Sequence, residues 1–286
     1  MDISVIVPIY KGQKYIPSIQ KMVSLNVEYA TKQGHPLEIE LLLINDYPNE
    51  TIHVDDFNRE YEIVVVENEK NSGIHQTRVN GLKKAKGEYI LFLDQDDLIE
   101  DNCLLSQFLA IEGFDLVVGN GYRMFGDKKM VIYKDDKKMD LVFNEKIYLK
   151  AANQIVSPGH CLIRKSSIPK EWREIIIKHN GGDDMFLWLL LFSNKKKISL
   201  NKEKVYTHVD TGTNVSSNRK IMLESANAVV NASIESGIIE KEVYEAYKRR
   251  IAFLDSFYIQ HKGMRRLVDL MKYIDIVAWK IYARLI

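Results

Sequence analysis

A cluster of acids is the first part of the chain whose residue types could do chemistry. Asp94, Gln95, Asp96 and Asp97 directly follow the apolar run 89–93. Three carboxylates this close repel one another unless a cation lies among them, and Mg²⁺ and Mn²⁺ prefer carboxylates together with phosphate oxygens and water. Such a metal could neutralise a leaving diphosphate. The alternative is that the acids only complement the positive end of a helix.

A second pair of acids, Asp183 and Asp184, lies between two glycines and the apolar run 185–192. A carboxylate beside apolar walls is a plausible general base. The alternative is that the acids cap the helix, a role that suits Asp183. Because there are two of them, one acid could cap while the other acts as a base.

A polar helix face is the third candidate. Asn71, His75 and Arg78 occur at i, i+4 and i+7, so they would share one face of a helix predicted over 71–86. That face could contact a diphosphate or support the acidic cluster. The spacing fits equally well with a solvated face on which Asn71 is the N-cap.

Single residues near predicted strand ends complete the set of candidates. Tyr10 could stack on a nucleobase, and Asp46 could accept a hydrogen bond from a ring N–H. Each residue type also has an ordinary structural use, tyrosine in packing and aspartate in turns. His208 and Asp210 end a late strand and could complete a metal site or contact phosphate.

The elements that must position these residues alternate between strands and helices. β-branched and apolar runs predict strands at 3–9, 37–44, 63–66, 89–93 and 114–119, and helical spacing occurs at 13–33 and 71–86. This order favours parallel βαβ units in an α/β protein whose sheet is covered on both faces. Ligands of such sheets bind beyond the carboxyl ends of the strands. Tyr10, Asp46 and the acids at 94–97 are therefore expected to converge.

The end of the chain differs from the rest. From about residue 218 only helices are predicted, and segment 262–286 carries six cations against Asp269 and Asp275. Its apolar residues recur at helical spacing, so this segment could lie on an anionic membrane surface. The alternative is a helix packed on the catalytic domain with a solvated outer face.

Composition excludes several classes of protein. The 286 residues include 40 Lys and Arg against 39 Asp and Glu, which does not favour a nucleic-acid-binding surface. The two cysteines, Cys103 and Cys161, cannot form a disulfide framework and suit a reducing compartment. The start of the chain lacks the pattern of a secretory signal, and the longest apolar run, 185–192, is too short to span a bilayer. We therefore expect a cytoplasmic protein that is soluble or lies on a membrane surface.

The order of these motifs resembles that of the family-2 glycosyltransferases of the GT-A fold, over about residues 2–216. The segments that carry the resemblance are 5–10, 44–46, 71–81, 88–97 and 182–188. Ser157, Pro158 and Gly159 resemble a turn of members that make bacterial capsule and cell-surface polysaccharides. The resemblance implies a mixed, mainly parallel Rossmann-like sheet flanked by helices, with residues 1–216 as the nucleotide-sugar-binding and catalytic domain and 217–286 as a helical extension.

The resemblance also implies roles for particular residues. A nucleoside-diphosphate sugar, expected to be a UDP-sugar, would be bound by residues of these segments: Pro8, Tyr10, Asp46, Asn71, Gly73, Arg78, Asp94 and Gln95. Mn²⁺ or Mg²⁺ would be held by Asp94 and Asp96, with His208 as a further ligand unless Asp210 takes its place. Asp184 matches the second acid of the family's Glu-Asp motif, which is the usual base, and Asp183 stands where the family usually has glutamate.

The implied reaction is an inverting transfer to a hydroxyl of a glycan or lipid-linked acceptor, at the inner face of the plasma membrane if segment 262–286 binds lipid. Two other functions remain open. A sugar nucleotidyltransferase would cradle a triphosphate in a Gly-rich loop after the first strand, but residues 10–13 contain a single glycine, Gly12. A non-catalytic nucleotide-sugar-binding module would have no need for Asp184.

Overall fold

The computed structural model describes residues 1–55, 60–179, 181–212 and 218–286. These residues form two compact units. The first contains Met1–Ile132, Ser157–Arg173 and Lys196–Thr211, and the second contains Tyr133–Val156, Glu174–Lys195 and Gly212–Ile286. The predicted domain boundary between residues 216 and 217 lies outside the described residues, so the division into 1–216 and 217–286 stays a prediction.

The first unit is built on one sheet, to which nine strands of the described residues contribute. They are β1 (Ile3–Ile9), β2 (Ile39–Asn45), β3 (Glu62–Glu67), β4 (Tyr89–Phe92), β5 (Leu98–Ile99), β6 (Leu116–Phe125), β7 (Lys128–Val131), β8 (Cys161–Arg164) and β9 (Ile198–Asp210). Their order is β3-β2-β1-β4-β8-β6-β9-β5, and β7 pairs with β6. The half formed by β3, β2, β1 and β4 is parallel, and the other half is mixed. The α/β class expected from the sequence is confirmed.

The helices of the described residues follow in chain order. They are α1 (Ile16–Lys32), α2 (Ile74–Lys84), α3 (Cys103–Ala110), α4 (Asp136–Asp140), α5 (Glu145–Lys150), α6 (Lys170–Glu174), α7 (Asp183–Ser193), α8 (Arg219–Glu235), α9 (Lys241–Asp255), α10 (Met264–Lys272) and α11 (Ile274–Leu285). A π-helical turn, Ser256–Gln260, follows α9. In the part of the chain that is described, none of these helices combines the length and the apolar character needed to cross a bilayer.

Burial explains the parallel half of the sheet. Every residue of β1 and of β2 is buried, as expected of strands covered on both faces. Helix α1 buries one face, which includes Ile16, Ile19 and Val23, against the same core cluster as these strands. The apolar runs in the sequence thus specify both the strands and the layer that covers them.

Pro8 shapes the end of this sheet. The pairing of β1 with β4 ends at Ile6 and Phe92, after which the Leu93 N–H still donates to the Ile6 carbonyl at 3.0 Å. Alternation along the strand turns the Pro8 nitrogen toward β4, and proline has no N–H to continue that ladder. The chain after Leu93 is therefore released from the sheet, and it forms the acidic turn.

The second unit is helical and contains α4, α5, α7, α8, α9, α10 and α11. One of its core clusters joins Leu141, Ile147 and Ala283, and another joins Phe253, Tyr273 and Ile276. Each cluster contains a residue of α11, Ala283 in the first and Ile276 in the second, so the C-terminal helix is part of this unit's core. The helical region expected after residue 218 is confirmed.

Candidate active site

The carboxyl ends of three parallel strands meet at one edge of the sheet. Ile9 of β1 lies opposite Asn45 of β2, and the Asp46 N–H donates to the Ile9 carbonyl at 2.8 Å. On the other side of β1, β4 runs into Leu93 and then Asp94. The expected convergence of Tyr10, Asp46 and the acidic cluster is therefore present in the sheet.

Asp46 fastens the loop that precedes α2. Its carboxylate accepts hydrogen bonds from Asn68 Nδ2 at 2.9 Å, from the Ser72 N–H at 2.7 Å and from the Gly73 N–H at 3.0 Å. Asp46 is buried, so these three donors satisfy a charge that would otherwise be costly. The structure thus gives Asp46 a positioning role, and its contact with a nucleobase stays a prediction.

The start of α2 corrects one expectation from the sequence. The helix begins at Ile74, and Gly73 before it has a φ of 80°, a conformation that favours glycine. Asn71 lies outside the helix, where its side chain accepts from the Gly73 N–H at 3.1 Å. His75 is buried, with Nε2 2.9 Å from the Trp172 carbonyl oxygen. The predicted shared face of Asn71, His75 and Arg78 is therefore wrong.

Arg78 reaches the acidic turn instead. It is buried, and its guanidinium forms an ion pair with the Asp94 carboxylate. A buried arginine in contact with a carboxylate holds that group in place and offsets its charge. The sequence predicted that this polar stretch could support the acidic cluster, and Arg78 does so through its ion pair with Asp94.

Gln95 bridges the acidic turn and the end of β1. Its Oε1 accepts from the Tyr10 N–H at 3.0 Å, and its Nε2 donates to the Tyr10 carbonyl at 3.3 Å. Gly12 makes room for this amide, because a Cβ there would lie 2.1 Å from Gln95 Oε1. The side chain of Gln95 therefore makes hydrogen bonds to Tyr10, the residue after β1, where the backbone pairing of β4 with β1 has ended, beyond Pro8.

An aromatic pair stands exposed at the same edge. The ring centroids of Tyr10 and Tyr47 are 5.5 Å apart at an interplanar angle of 73°, and Lys11 Nζ lies within 5.5 Å of both centroids. Tyr10 is 44 % exposed, so its ring is open to a ligand. Sequence reasoning missed Tyr47, although its place directly after Asp46 was a usable signal.

Asp97 is the buried centre of a hydrogen-bond network. It is 1 % exposed and accepts from the Tyr206 hydroxyl, from His208 Nδ1 at 3.0 Å and from the Val209 N–H at 2.9 Å. These contacts tie the acidic turn to β9. Asp97 is thus a positioning residue, a role that the sequence did not distinguish from those of its neighbours.

The pKa directions follow from this network. Burial, and then repulsion by Asp97, raise the pKa of Asp96. Burial alone would lower the pKa of His208, but the hydrogen bond and charge of Asp97 raise it above its ordinary value. Burial, together with Asp97, raises the pKa of Tyr206 well above its ordinary value.

The donor set allows a test of the predicted metal. Nδ1 of His208 is used by Asp97, which leaves Nε2 as the ligand atom in the carboxylate–histidine arrangement common at metal sites. Asp96 forms no ion pair among the described residues, whereas Asp94 is paired with Arg78. Among the described residues no three His, Cys, Asp or Glu side chains are grouped to hold a metal ion. The residues therefore fit a divalent cation only if substrate oxygens and water complete its shell.

In the second unit, α7 begins at the predicted acids. Gly182 is the N-cap, so neither Asp183 nor Asp184 has the capping position expected from the sequence. Asp183 is 2 % exposed, whereas Asp184 is half-buried and its Oδ1 accepts from the Met185 N–H at 2.6 Å. Of the two acids, Asp184 has the greater access to a substrate.

The fold and the strand-end site define an α/β protein of the GT-A class. The chain belongs to glycosyl transferase family 2, whose sequence model matches residues 4–172, more than half of its length.

Similar proteins of bacteria are named for related activities. Glycosyltransferase GlyG of Streptococcus pneumoniae serotype 4 is 34% identical over 125 residues, which are 42% of this chain and 39% of that protein. Poly(ribitol-phosphate) beta-glucosyltransferase of Bacillus spizizenii is 25% identical over 219 residues, 73% of this chain and 32% of that protein. The chain thus spans less than half the length of these two relatives. Poly(ribitol-phosphate) beta-N-acetylglucosaminyltransferase TarP of Staphylococcus aureus is 23% identical over 295 residues, 97% of this chain and 85% of that protein.

The fold has a solved counterpart. The crystal structure of S. aureus TarS 1–349 in complex with UDP-GlcNAc superposes with a TM-score of 0.62 at 17% identity, covering 97% of this chain and 82% of that one. This likeness supports the GT-A fold predicted from the sequence.

Proposed function

We propose that the protein is an inverting glycosyltransferase that uses a UDP-sugar and a hydroxyl acceptor on a glycan or lipid-linked polymer. The observation that carries the proposal is the cluster at the strand ends, where the exposed Tyr10–Tyr47 pair, the Asp46-anchored loop and the acidic turn meet in a family-2 chain. The relatives named for poly(ribitol-phosphate) acceptors support a polymer as the acceptor.

Donor binding is assigned to this edge of the sheet. The exposed ring of Tyr10 would stack on the uracil base, a contact worth about 1–3 kcal/mol in other nucleotide sites. The loop at 71–73 borders this site, and the Asp46 carboxylate holds it in place. Pro8 is buried inside β1 and would act by ending the β4 ladder rather than by touching the donor.

Asp96 and Nε2 of His208 would hold Mn²⁺ or Mg²⁺, while the Asp94–Arg78 pair keeps the turn in shape. The metal would supply charge neutralisation of the leaving diphosphate. Burial, and then repulsion by Asp97, raise the pKa of Asp96, and a buried carboxylate beside another acid is stabilised by a nearby cation.

Asp184 is the proposed base. It would take the proton of the acceptor hydroxyl while that oxygen bonds to the anomeric carbon and the bond from this carbon to the diphosphate breaks on the opposite face. Asp184 is preferred to Asp183 because it is the more exposed of the two. Asp183, buried in the first turn, would position the start of α7.

The test is UDP release from UDP-sugars in the presence of acceptor polymer. Asp184→Asn should lower turnover by about 10²–10⁴-fold with little change in donor affinity. Asp140→Asn, which neutralises an exposed acid of the same unit, is the control. Near wild-type turnover of Asp184→Asn would show that Asp184 is not the base. Full activity in excess chelator would show that no metal ion is required.

The same assay separates the alternatives. A sugar nucleotidyltransferase would release pyrophosphate instead of UDP. A binding module would bind UDP-sugar and release nothing, even after prolonged incubation with Mn²⁺.

The proposal includes a membrane contact at the inner face of the plasma membrane. Helix α10 exposes Met264, Leu267, Val268 and Met271, which are between 59 % and 83 % exposed, beside Arg265 and Lys272. An apolar strip flanked by cations suits an anionic bilayer surface.

Point variants test this contact better than truncation, because residues of α11 belong to core clusters of the second unit. Leu267→Glu should lower co-sedimentation with phosphatidylglycerol vesicles. Leu109→Glu, at a similarly exposed leucine of α3, is the matched control. Equal binding of both variants would leave α10 without a membrane role.

A further inference from the structure

A cavity in the second unit has an unusual charge composition. It measures about 340 Å³, within the range of roughly 300–1,000 Å³ that small-molecule sites occupy. Three cations line it, Arg219 of α8, Arg250 of α9 and Lys280 of α11, and among the described residues no acid does. The remaining wall is mainly apolar, with Tyr258 and two methionines among its residues.

Arg250 is the residue that demands an explanation. It is 5 % exposed, and one guanidinium nitrogen donates to the Tyr148 carbonyl while the group lies 4.4 Å from the Tyr247 ring centroid. Its Nε has no hydrogen-bond partner among the described residues. A buried guanidinium that has no carboxylate partner among the described residues is costly unless an anion in the cavity offsets its charge.

The other two cations agree with an anion site. Nζ of Lys280 donates to the Ala151 carbonyl at 3.1 Å, and burial, followed by repulsion from Arg250, lowers the pKa of this lysine. Arg219 lies over the Tyr258 ring at 4.6 Å, which holds its guanidinium at the cavity wall. The three cations, beside which no acid of the described residues lines the cavity, would repel one another less once an anion is bound.

The cavity also lies next to the proposed base within the same unit. Met185, which lines it, directly follows Asp184, and the carbonyl of Met185 accepts from the Tyr148 hydroxyl at 2.7 Å. The backbone carbonyl of Tyr148 in turn accepts a hydrogen bond from Arg250. A ligand in the cavity would therefore contact the first turn of α7.

We propose that this cavity binds a phosphate group, and that a phosphodiester of the acceptor polymer supplies it. The second half of this proposal rests on the proposed glycosyl transfer. The cations would bind the phosphate oxygens, the apolar wall would contact the carbon chain of the polymer, and the acceptor hydroxyl would be brought to Asp184.

The test is calorimetric titration of the full chain with two probes, inorganic phosphate and the soluble phosphodiester glycerophosphoglycerol. Arg219→Gln removes an exposed cation, so folding is not at risk, and Arg250→Lys keeps the buried charge but loses the planar donor set. Each should weaken binding of both probes at least about fivefold. Arg173→Gln, at an exposed arginine of the first unit, should bind like the wild type.

Each outcome bears on a stated part of the proposal. No saturable binding by the wild type, or equal affinities of Arg219→Gln and Arg173→Gln, would overturn the site. Binding of inorganic phosphate but not of the phosphodiester would overturn the acceptor as its source, as would phosphatidylglycerol vesicles displacing the probe more strongly than the diester. Slow hydrolysis of UDP-sugar, measured as UDP release in the absence of acceptor, tests the proposed glycosyl transfer separately. If UDP is released but the cavity binds no phosphate, the cavity proposal fails and the proposed function does not.

Discussion

Replacement of Asp97 by asparagine tests the network that fixes the acidic turn. The carboxylate is buried and receives three donors, from Tyr206, His208 and Val209. Asparagine has nearly the same shape, but its carbonyl oxygen can serve only part of this set. Its amide group presents N–H to at least one donor, so that donor is left buried and unpaired.

The magnitude follows from counting these contacts. A hydrogen bond to a charged group contributes about 1.5–3 kcal/mol, and leaving a buried polar group unpaired costs about 1–3 kcal/mol. The contributions are not additive within one network. We expect Asp97→Asn to lower the free energy of unfolding by about 2–4 kcal/mol.

The variant should also change how stability depends on pH. The pKa of His208 is raised above its ordinary value of 6.5 in the folded protein, so this histidine binds its proton more tightly when folded. Its contribution to stability is fully present below pH 6.5 and is lost as the pH rises through the folded pKa. In Asp97→Asn the hydrogen bond and charge that raise the pKa most are gone and only the weaker effect of Asp94 remains, so burial should lower the His208 pKa relative to that of the wild type.

Two measurements check this reasoning. Urea unfolding at several pH values between 5.5 and 8.5 gives the stability difference, and the chemical shift of the His208 ring proton gives its pKa. Asp101→Asn, at an exposed acid four residues later, is the control. A stability loss below about 0.5 kcal/mol, or a His208 pKa unchanged by the substitution, would refute the role given to Asp97.

Three further substitutions address the edge of the sheet. Gly12→Ala should displace the Gln95 amide, because the new Cβ would meet its oxygen, and should weaken UDP binding by about two- to tenfold in a thermal-shift titration; an unchanged midpoint shift would contradict the bridge. Tyr47→Ala should lower UDP affinity by about fivefold through loss of the ring that supports Tyr10, whereas Tyr47→Phe should not; equal affinities would show that the aromatic pair is not used. Asp46→Ala removes an acceptor from three donors, of which Asn68 keeps Thr77 Oγ1 and the Gly73 N–H keeps Asn71 Oδ1, and should cost about 1–3 kcal/mol in urea unfolding; a smaller loss than that of Asp101→Asn would be incompatible with its anchoring role.

Local pattern was enough to predict much of the fold. The apolar runs that became β1, β2 and β4 are buried on both faces, and the residues that follow them were correctly placed at one edge of the sheet. Apolar runs and residue alternation are properties of neighbouring residues, so a single sequence contains them, whereas the order of the strands in the sheet depends on long-range pairing. The family assignment followed from the order of motifs at these strand ends.

The role of each acid depended on contacts that no local pattern contains. Within the turn, Asp94 pairs with Arg78, and Asp97 is buried against β9, more than a hundred residues later in the chain. The start of α2 was misjudged because Asp46, in another segment, holds the loop before it. The family resemblance singled out Asp94 and Asp96 as metal ligands, but nothing in the sequence indicated that Arg78 pairs with Asp94 or that Asp97 is buried.

The sequence by itself determined the α/β class, the strand ends and the set of candidate residues, because these depend on periodicity and residue type. Only the tertiary structure decided which carboxylates hold the fold together, and it alone revealed Arg250 in a cavity that no acid of the described residues lines. The physical reason is that burial and hydrogen-bond partners depend on residues that lie far apart in the chain. Tyr148 and Arg250, for example, come into contact only when the core is packed.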